Sequence, residues 1–535
     1  MQKRIIKVNR TDNVAVALVN LKAGEVVLFE GQDIKIVSNT KLKHKIALQQ
    51  FETGDRIIMY GVLVGVAQST IHKGDVLTTE NVKHQSEKVF GKTDSYLWSA
   101  PNIKKWKDRT FLGYHREDGQ VGTENIWLFF PLVFCENRNI ETLKEVFEKE
   151  LLKQKQNPHQ ILLRSLVRGV EETEVANNSS NVFSNIDVKF VTHSGGCGGI
   201  RQDSESLAKL LAGYVNNPNV AGATVLSLGC QNLQISLFKD ALHAVNPNLN
   251  KPVLIYEQQQ MGTVDNMLSA IIKDSFESIK KANNLERKPA PLSKLTIGLE
   301  CGGSDGFSGI TANPTLGVVS DLIVALKGSA ILSEFPELCG VEQELVNRCV
   351  DDKNGKKFLA LMKAFEKSVI DAGSGFDMNP SPGNIKDGLI TDAMKSAGAA
   401  KKGGTSPIQD VLDYGEYISK PGLNLLCTPG NDVESTTGLV GSGANIVLFT
   451  TGLGTPTGNP ITPVIKVSSN TEMAVKMPDI IDIETGAVIR GEKTIDEMAH
   501  DMLEFIIKVA SGKVQTKAKL LNQNDFIPWR RGVSL

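Results

Sequence analysis

The chain has 535 residues, of which 41% are hydrophobic and 22% charged, and a formal net charge of −1. This length exceeds one ordinary core and predicts several globular domains, while the balanced charge without a long basic block argues against a nucleic-acid partner. No apolar run is long enough to span a bilayer.

The polar start Met1-Gln2-Lys3-Arg4 lacks the apolar segment of a secretion signal. Seven cysteines are scattered at 135, 197, 230, 301, 339, 349 and 427, with no Cys-x-x-Cys pair. That pattern fits reduced thiols and a cytoplasmic setting.

Residues 1–85 predict a small all-β unit. Leu21–Val27, Phe51–Ile57 and Ile71–Leu77 each place a Gly-acid pair shortly before β-prone residues, as a turn between strands would. Runs such as Val14–Val19 and Ile57–Val66 supply the strands. Residues 86–109 are polar and read as a linker; the short Lys104-Lys105 and Lys280-Lys281 clusters read as solvated faces.

Residues 110–290 alternate strands and helices. Val188–Thr192, Ala223–Leu228 and Pro252–Tyr256 read as buried strands, and Asp203–Tyr214, Leu233–Ala244 and Asp265–Asn283 as amphipathic helices. Such βα units build a largely parallel sheet, whose ligands bind beyond the carboxyl ends of the strands. His193-Ser-Gly-Gly-Cys197, Gly229-Cys230-Gln231-Asn232 and Glu257-Gln258-Gln259-Gln260 lie at those ends.

Residues 291–535 predict a second α/β domain, so the fold class is multidomain α/β with a small N-terminal β unit and mainly parallel sheets. Apolar strands again run into polar glycine loops: Leu295–Leu299 before Glu300-Cys301-Gly302-Gly303-Ser304-Asp305, Leu423–Leu426 before Cys427, and Ile446–Phe449 before Thr450. Glycine loops let a small ligand approach the main chain closely.

No Gly-x-x-x-x-Gly-Lys-[Ser/Thr] occurs, and Gly441-Ser442-Gly443 lacks the third glycine of a dinucleotide fingerprint. His193, Cys197, Glu300, Cys301 and Asp305 combine imidazole, thiol and carboxylate, a donor set suited to Fe2+ or Mn2+. A structural zinc site would need four ligands at tight spacing, which are absent. Cys197, Cys301 and Cys427 are the donors an iron–sulfur cluster would use, although the missing Cys-x-x-Cys favours a single ion. Arg116, within the donor-rich stretch Gly113–Asn125, is a candidate carboxylate clamp. Lys466, inside the apolar Pro463-Val464-Ile465-Lys466-Val467, must be either paired or lowered in pKa for use as a base. His193 is the other candidate base.

Gly113–Asn125, Cys301–Pro314, Ser381–Leu389, Thr428–Gly438 and Gly443–Asn470 resemble the sugar-acid dehydratases of the altronate and galactarate dehydratase family, the altronate branch more than the galactarate branch. The N-terminal unit resembles the SAF-type β-clip module of that family. The resemblance implies loss of water from an aldonate to give 2-keto-3-deoxy-D-gluconate in hexuronate catabolism, with a divalent metal, iron or manganese. Such chemistry needs a base for the C2 proton, a group to stabilise the enediolate and an acid for the C3 hydroxyl.

Arg116, His115, Asn125, Gly302, Gly303, Ser304, Asn313, Asn431, Asp432 and Thr455 are the expected substrate-holding residues. Relatives carry a His-Thr-His-Asn-type sequence near the end of the first module; here Thr78-Thr79-Glu80-Asn81 stands there, leaving Glu80 and His84 to take its place. Galactarate dehydration, elimination from a sulfolactate, and non-catalytic sugar-acid binding are the competing readings. The sequence leaves homo-oligomerisation open.

Overall fold

The computed structural model describes residues 3–151, 158–169 and 182–535. The three Gly-acid repeats each form the turn that their residues dictate. Gly24, Gly54 and Gly74 stand at φ +85°, +92° and +92°, and the N–H groups of Glu25, Asp55 and Asp75 donate to the carbonyls of Lys22, Glu52 and His72. A glycine with positive φ followed by a closing hydrogen bond is the type II arrangement. The N-terminal unit is three small antiparallel groups of strands: Ile5–Ile6 with Val14–Ala17 and Lys45–Ala47, Val26–Phe29 with Gln32–Lys35, and Arg56–Met59 with Val62–Ala67 and Val82–Lys83. The run Ile57–Val66 is therefore a hairpin, broken at Tyr60-Gly61, where φ is +59° and +80°.

The segment after residue 85 has no regular sheet, but it is anchored. Lys92 Nζ donates to the carbonyls of Asn347 and Cys349, Tyr96 OH donates to Thr405 O, and Trp106 is fully buried. It lies along the C-terminal domain as a strap.

A four-stranded parallel sheet follows, in the order Asp187–Phe190, Ile126–Pro131, Val220–Ser227, Val253–Glu257. Helices Arg201–Asn216, Ile235–Val245 and Val264–Ala282 flank it, each within a few residues of the sequence expectation. The C-terminal domain is built on a seven-stranded parallel sheet, ordered Ile408–Leu412, Gly422–Leu426, Ser329–Leu332, Thr296–Cys301, Ile446–Thr451, Val464–Ser468, Ile483–Glu484. Its central strands are buried along their length, as both-face coverage of a parallel sheet requires.

Thr296–Cys301 is the first strand of this sheet in the chain. The next three lie on one side of it and the last three on the other. The chain thus reverses direction between Thr296–Cys301 and Ile446–Thr451, and a crevice opens at the carboxyl ends of strands at such a switch point. The two α/β units are sewn together by Asn219: its side-chain N–H groups donate to Asn445 O and Ile461 O, and its oxygen accepts from Thr123 N. Among the described residues, no helix is long and apolar enough to cross a membrane.

Candidate active site

The register across the switch point puts three side chains in one row. Glu300 pairs with Phe449, and Phe449 with Lys466, so all three stand on the same face of adjacent strands. Lys466 Nζ sits 3.4 Å from the centre of the Phe449 ring and has no hydrogen-bond partner, although it is fully buried. Burial brings its pKa down to about 7, against the opposing pull of the nearby Asp432, Asp482 and Glu300 carboxyls. Glu300 is held at one oxygen by Ser333 Oγ at 2.8 Å and Ser435 Oγ at 2.6 Å, while its other oxygen is unpartnered. Burial and the charge of Glu334 push its pKa well up.

Beside this row lies a dense ionic cluster. Cys301 Sγ donates to Glu337 Oε2 at 2.9 Å and accepts from Lys402 Nζ at 2.7 Å. Lys402 also pairs with Glu334, and Lys395 pairs with Glu337 at 2.7 Å. All five residues are buried. Burial and the neighbouring Glu334 and Glu337 keep Cys301 a thiol, and burial plus Glu337 raises Glu334 to about 7. Burial works against the charge on Lys402, but the surrounding carboxylates more than offset it and hold it as an ammonium. Glu334 stands at φ +67°, a left-handed conformation costly for a residue with a side chain. Strain of that kind persists where the surroundings fix it, and functional sites are where it gathers.

Asp432 begins the helix Asp432–Gly441, which is capped by Asn431 Oδ1 accepting from the N–H groups of Val433 and Glu434. Burial and the charge of Glu337 raise Asp432 to about 6. A Cβ at Gly302 would lie 2.1 Å from Asp432 Oδ2 and 2.6 Å from Phe449, so glycine is required for the loop to pass under this carboxyl. Gly302→Ala is expected to displace Asp432 and lower kcat by about a hundredfold. Steady-state turnover beside a thermal melt checks this: loss of turnover with the melt retained is the expected pattern.

Gly303, at φ +61°, packs against Thr451 and Thr455. Ser304 O accepts from Asn384 Nδ2 at 2.7 Å. Asp305 is fully buried and accepts from Ser308, Ser469 and Asn470, and Lys43 of the N-terminal unit pairs with it at 2.9 Å. Its oxygens are taken by these partners, so Asp305 ties the N-terminal unit to the loop instead of offering a metal ligand. The same unit reaches the C-terminal domain through Thr391 Oγ1, which donates to Val64 O.

Other expected site residues are committed elsewhere. His193 Nε2 bonds to Pro131 O at 2.7 Å and Nδ1 accepts from Gly195 N at 3.1 Å, leaving no lone pair for a metal or proton; burial lowers it to about 4. Cys197 lines a separate cleft with Trp529 and Arg530. Arg116 is buried and donates to Pro218 O, Asn125 Oδ1 and Glu124 O, so it joins elements instead of clamping a substrate. Asn125 is saturated by Arg116, Asn185 O and Ala282 O, and Asn313 by Gly398 O and Thr450 Oγ1. His115 is exposed and bonds to Pro289 O. Cys427 is buried near Arg531, and Cys301, Cys197 and Cys427 do not form a common group. Glu80 is exposed in a turn.

Glu334, Glu337, Lys395 and Lys402 were not among the expected residues. The signal present was Ser333-Glu334-Phe335-Pro336-Glu337 at the end of the buried strand Ser329–Leu332, another strand-end loop with two acids.

Three family models match the chain: the Altronate/galactarate dehydratase SAF domain at residues 3–85, the D-galactarate dehydratase/Altronate hydrolase second domain at 113–283, and the D-galactarate/Altronate dehydratase C-terminal domain at 292–534. Altronate dehydratase of Bacillus subtilis is 34% identical over 98% of this chain and 97% of its own length. Altronate dehydratase of Escherichia coli is 33% identical over 99% of each chain, and the galactarate dehydratase (L-threo-forming) of that organism 30% over 96% and 93%. The likeness runs through all three parts of the chain and includes the loops that build the buried cluster, so the protein belongs to the altronate and galactarate dehydratase family and is a sugar-acid hydro-lyase.

Proposed function

We propose that the protein converts D-altronate to 2-keto-3-deoxy-D-gluconate and water at the Glu300–Cys301–Glu334–Glu337 cluster, with Lys466 as the base. The observation that carries this reading is the unpartnered, buried amine of Lys466, near neutral in pKa and facing Asp432. The relatives' names favour altronate over galactarate by a small margin of identity.

Neutral Lys466 takes the C2 proton, and the electron pair passes into the carboxylate to form an enediolate. Lys402 and Lys395 hold positive charge where that charge develops. The enediolate collapses with loss of the C3 hydroxyl, to which Asp432 gives a proton, releasing water. The resulting enol tautomerises to the 2-keto acid. Proton return from Lys466 to Asp432 resets the pair.

Cys301, Glu334 and Glu337 are the residues that would hold a divalent metal, which requires Cys301 to lose its proton and Lys402 to give up its place on Cys301 and Glu334. Cys301, Glu334 and Glu337 bring one ligand atom each within 4.8 Å of one another, and Glu334 Oε1 and Glu300 Oε1 are buried without partners. Thiol and carboxylate donors suit Fe2+ or Mn2+. Such an ion would supply Lewis-acid stabilisation to the developing enediolate.

The active form needs Lys466 deprotonated and Asp432 protonated. With pKa values of about 7 and about 6, activity rises with pH as Lys466 loses its proton and falls as Asp432 loses its own. The expected profile of kcat/KM is a narrow bell with limbs near these two values. A pH–rate series reads it, and a plateau across that range contradicts the pairing.

The substrate is tested by incubating the pure protein with Fe2+ or Mn2+ and altronate, galactarate or sulfolactate, assaying the 2-keto acid. Preferred turnover of altronate supports the reading. Preferred turnover of galactarate reassigns the substrate, and binding without turnover across both metals overturns the catalytic role.

A further inference from the structure

The end of the N-terminal unit meets the C-terminal domain at a second group of donors. His84 follows the short strand Val82–Lys83; Cys339 ends the 3-10 turn Phe335–Leu338; Asp392 opens the helix Asp392–Ala399. One ligand atom from each lies within 4.8 Å of the others. Asp392 is fully buried; one carboxylate oxygen accepts from Asn379 Nδ2 at 3.2 Å, and the Cys339 thiol donates to the carboxyl. His84 turns Nδ1 to the first turn of that helix, where it accepts one long bond of 3.3 Å from Ala393 N. A lone pair held so weakly, beside a thiol and a buried carboxyl within ligand distance of one another, is what an ion would satisfy.

We propose that His84, Cys339 and Asp392 form a site for a divalent transition metal of the Zn2+ or Co2+ class, which pins the N-terminal unit to the C-terminal domain. Imidazole, thiolate and carboxylate are the donors Zn2+ takes, and three protein ligands leave the fourth position to water. On binding, the Cys339 S–H bond breaks, the sulfur bonds to the metal and the proton leaves to solvent. The charge balance suits this: Asp377 faces His84, and Glu342 and Glu366 face Cys339, with Lys395 as the cation near Asp392. The site is separate from the Cys301 cluster, to which it is joined through Asn379: Lys395 donates to Asn379 Oδ1 and pairs with Glu337.

The test is made in full-length protein carrying Cys301→Ser, which silences the thiol of the other cluster. Titration with Co2+ is expected to give a near-ultraviolet thiolate-to-metal charge-transfer band at one equivalent. The band is lost on adding Cys339→Ser, and His84→Ala weakens Co2+ binding by about tenfold or more. Zn2+ is expected to raise the melting temperature of the Cys301→Ser protein, and to raise that of Cys301→Ser/His84→Ala less at the same concentration. Melts without metal verify that each variant is folded, and His84→Gln replaces His84→Ala if the latter is not. A band that survives Cys339→Ser, a Zn2+ shift undiminished by the His84 substitution, or no Co2+ bound by the Cys301→Ser protein overturns the site.

Discussion

Replacing Lys466 by methionine is expected to lower kcat by about 10²–10⁴-fold, the usual contribution of a positioned base, while the fold stays intact. The two effects separate because the amine is buried without a partner. Lys466 Nζ makes no hydrogen bond and rests on the Phe449 ring. A polar group taken from water without compensation costs stability, so an apolar side chain of similar length is tolerated. The pH dependence gives the sign. The folded-state pKa lies below the ordinary 10.5, at about 7, so the lysine disfavours folding increasingly as pH falls from 10.5 towards 7. The Lys466→Met protein therefore gains stability relative to the natural chain over that window. Denaturant unfolding at two pH values reads the gain, and turnover reads the loss. A variant with low activity and a collapsed melt would instead make Lys466 a structural residue.

Lys402→Met is expected to do the opposite to stability. Lys402 is the cation in contact with both Cys301 and Glu334, with Glu337 and Glu300 close by. Removing one partner of a buried ion pair leaves the others uncompensated and costs about 3–5 kcal/mol. Glu334 already titrates at about 7 in the folded chain, above the ordinary 4.5. A raised carboxyl favours the folded state below its unfolded pKa and loses that advantage as pH rises through the folded value. Without Lys402 the folded value climbs further, so the deficit is largest at about pH 8 and shrinks towards about pH 5, where Glu334 carries a proton. Urea unfolding at both pH values checks it. A deficit below about 1 kcal/mol at the higher pH would mean that Lys402 is not the cation holding the cluster together.

Much of the fold was legible in the chain because its signals are local. The Gly24, Gly54 and Gly74 turns need only a glycine with positive φ. Leu295–Leu299, Leu423–Leu426 and Ile446–Phe449 are largely apolar runs, and Glu300, Cys301 and Lys466 are polar groups that such runs cannot bury cheaply. Tyr60-Gly61 does not read as a turn in the sequence, because both flanks are apolar and Tyr60 takes positive φ without the usual residue type.

The rest of the site was hidden by topology. Glu334, Glu337 and Lys402 reach Cys301 from other segments because the first strand sits in the middle of the sheet. His193 and Arg116 are polar groups among glycines, but the same composition serves to join elements: a main-chain carbonyl and a main-chain N–H hold His193, and main-chain carbonyls and the Asn125 side chain hold Arg116. Asp305 likewise anchors the N-terminal unit through Lys43.

The role of Lys466 as base is tested most directly by chemical rescue. Lys466→Ala leaves a cavity where the amine stood, and methylamine is added while 2-keto acid formation from D-altronate is followed. Rescue that rises with the concentration of unprotonated amine is the expected result. A folded Lys466→Ala protein that turns over at the natural rate, or that stays inactive at every amine concentration, would contradict it.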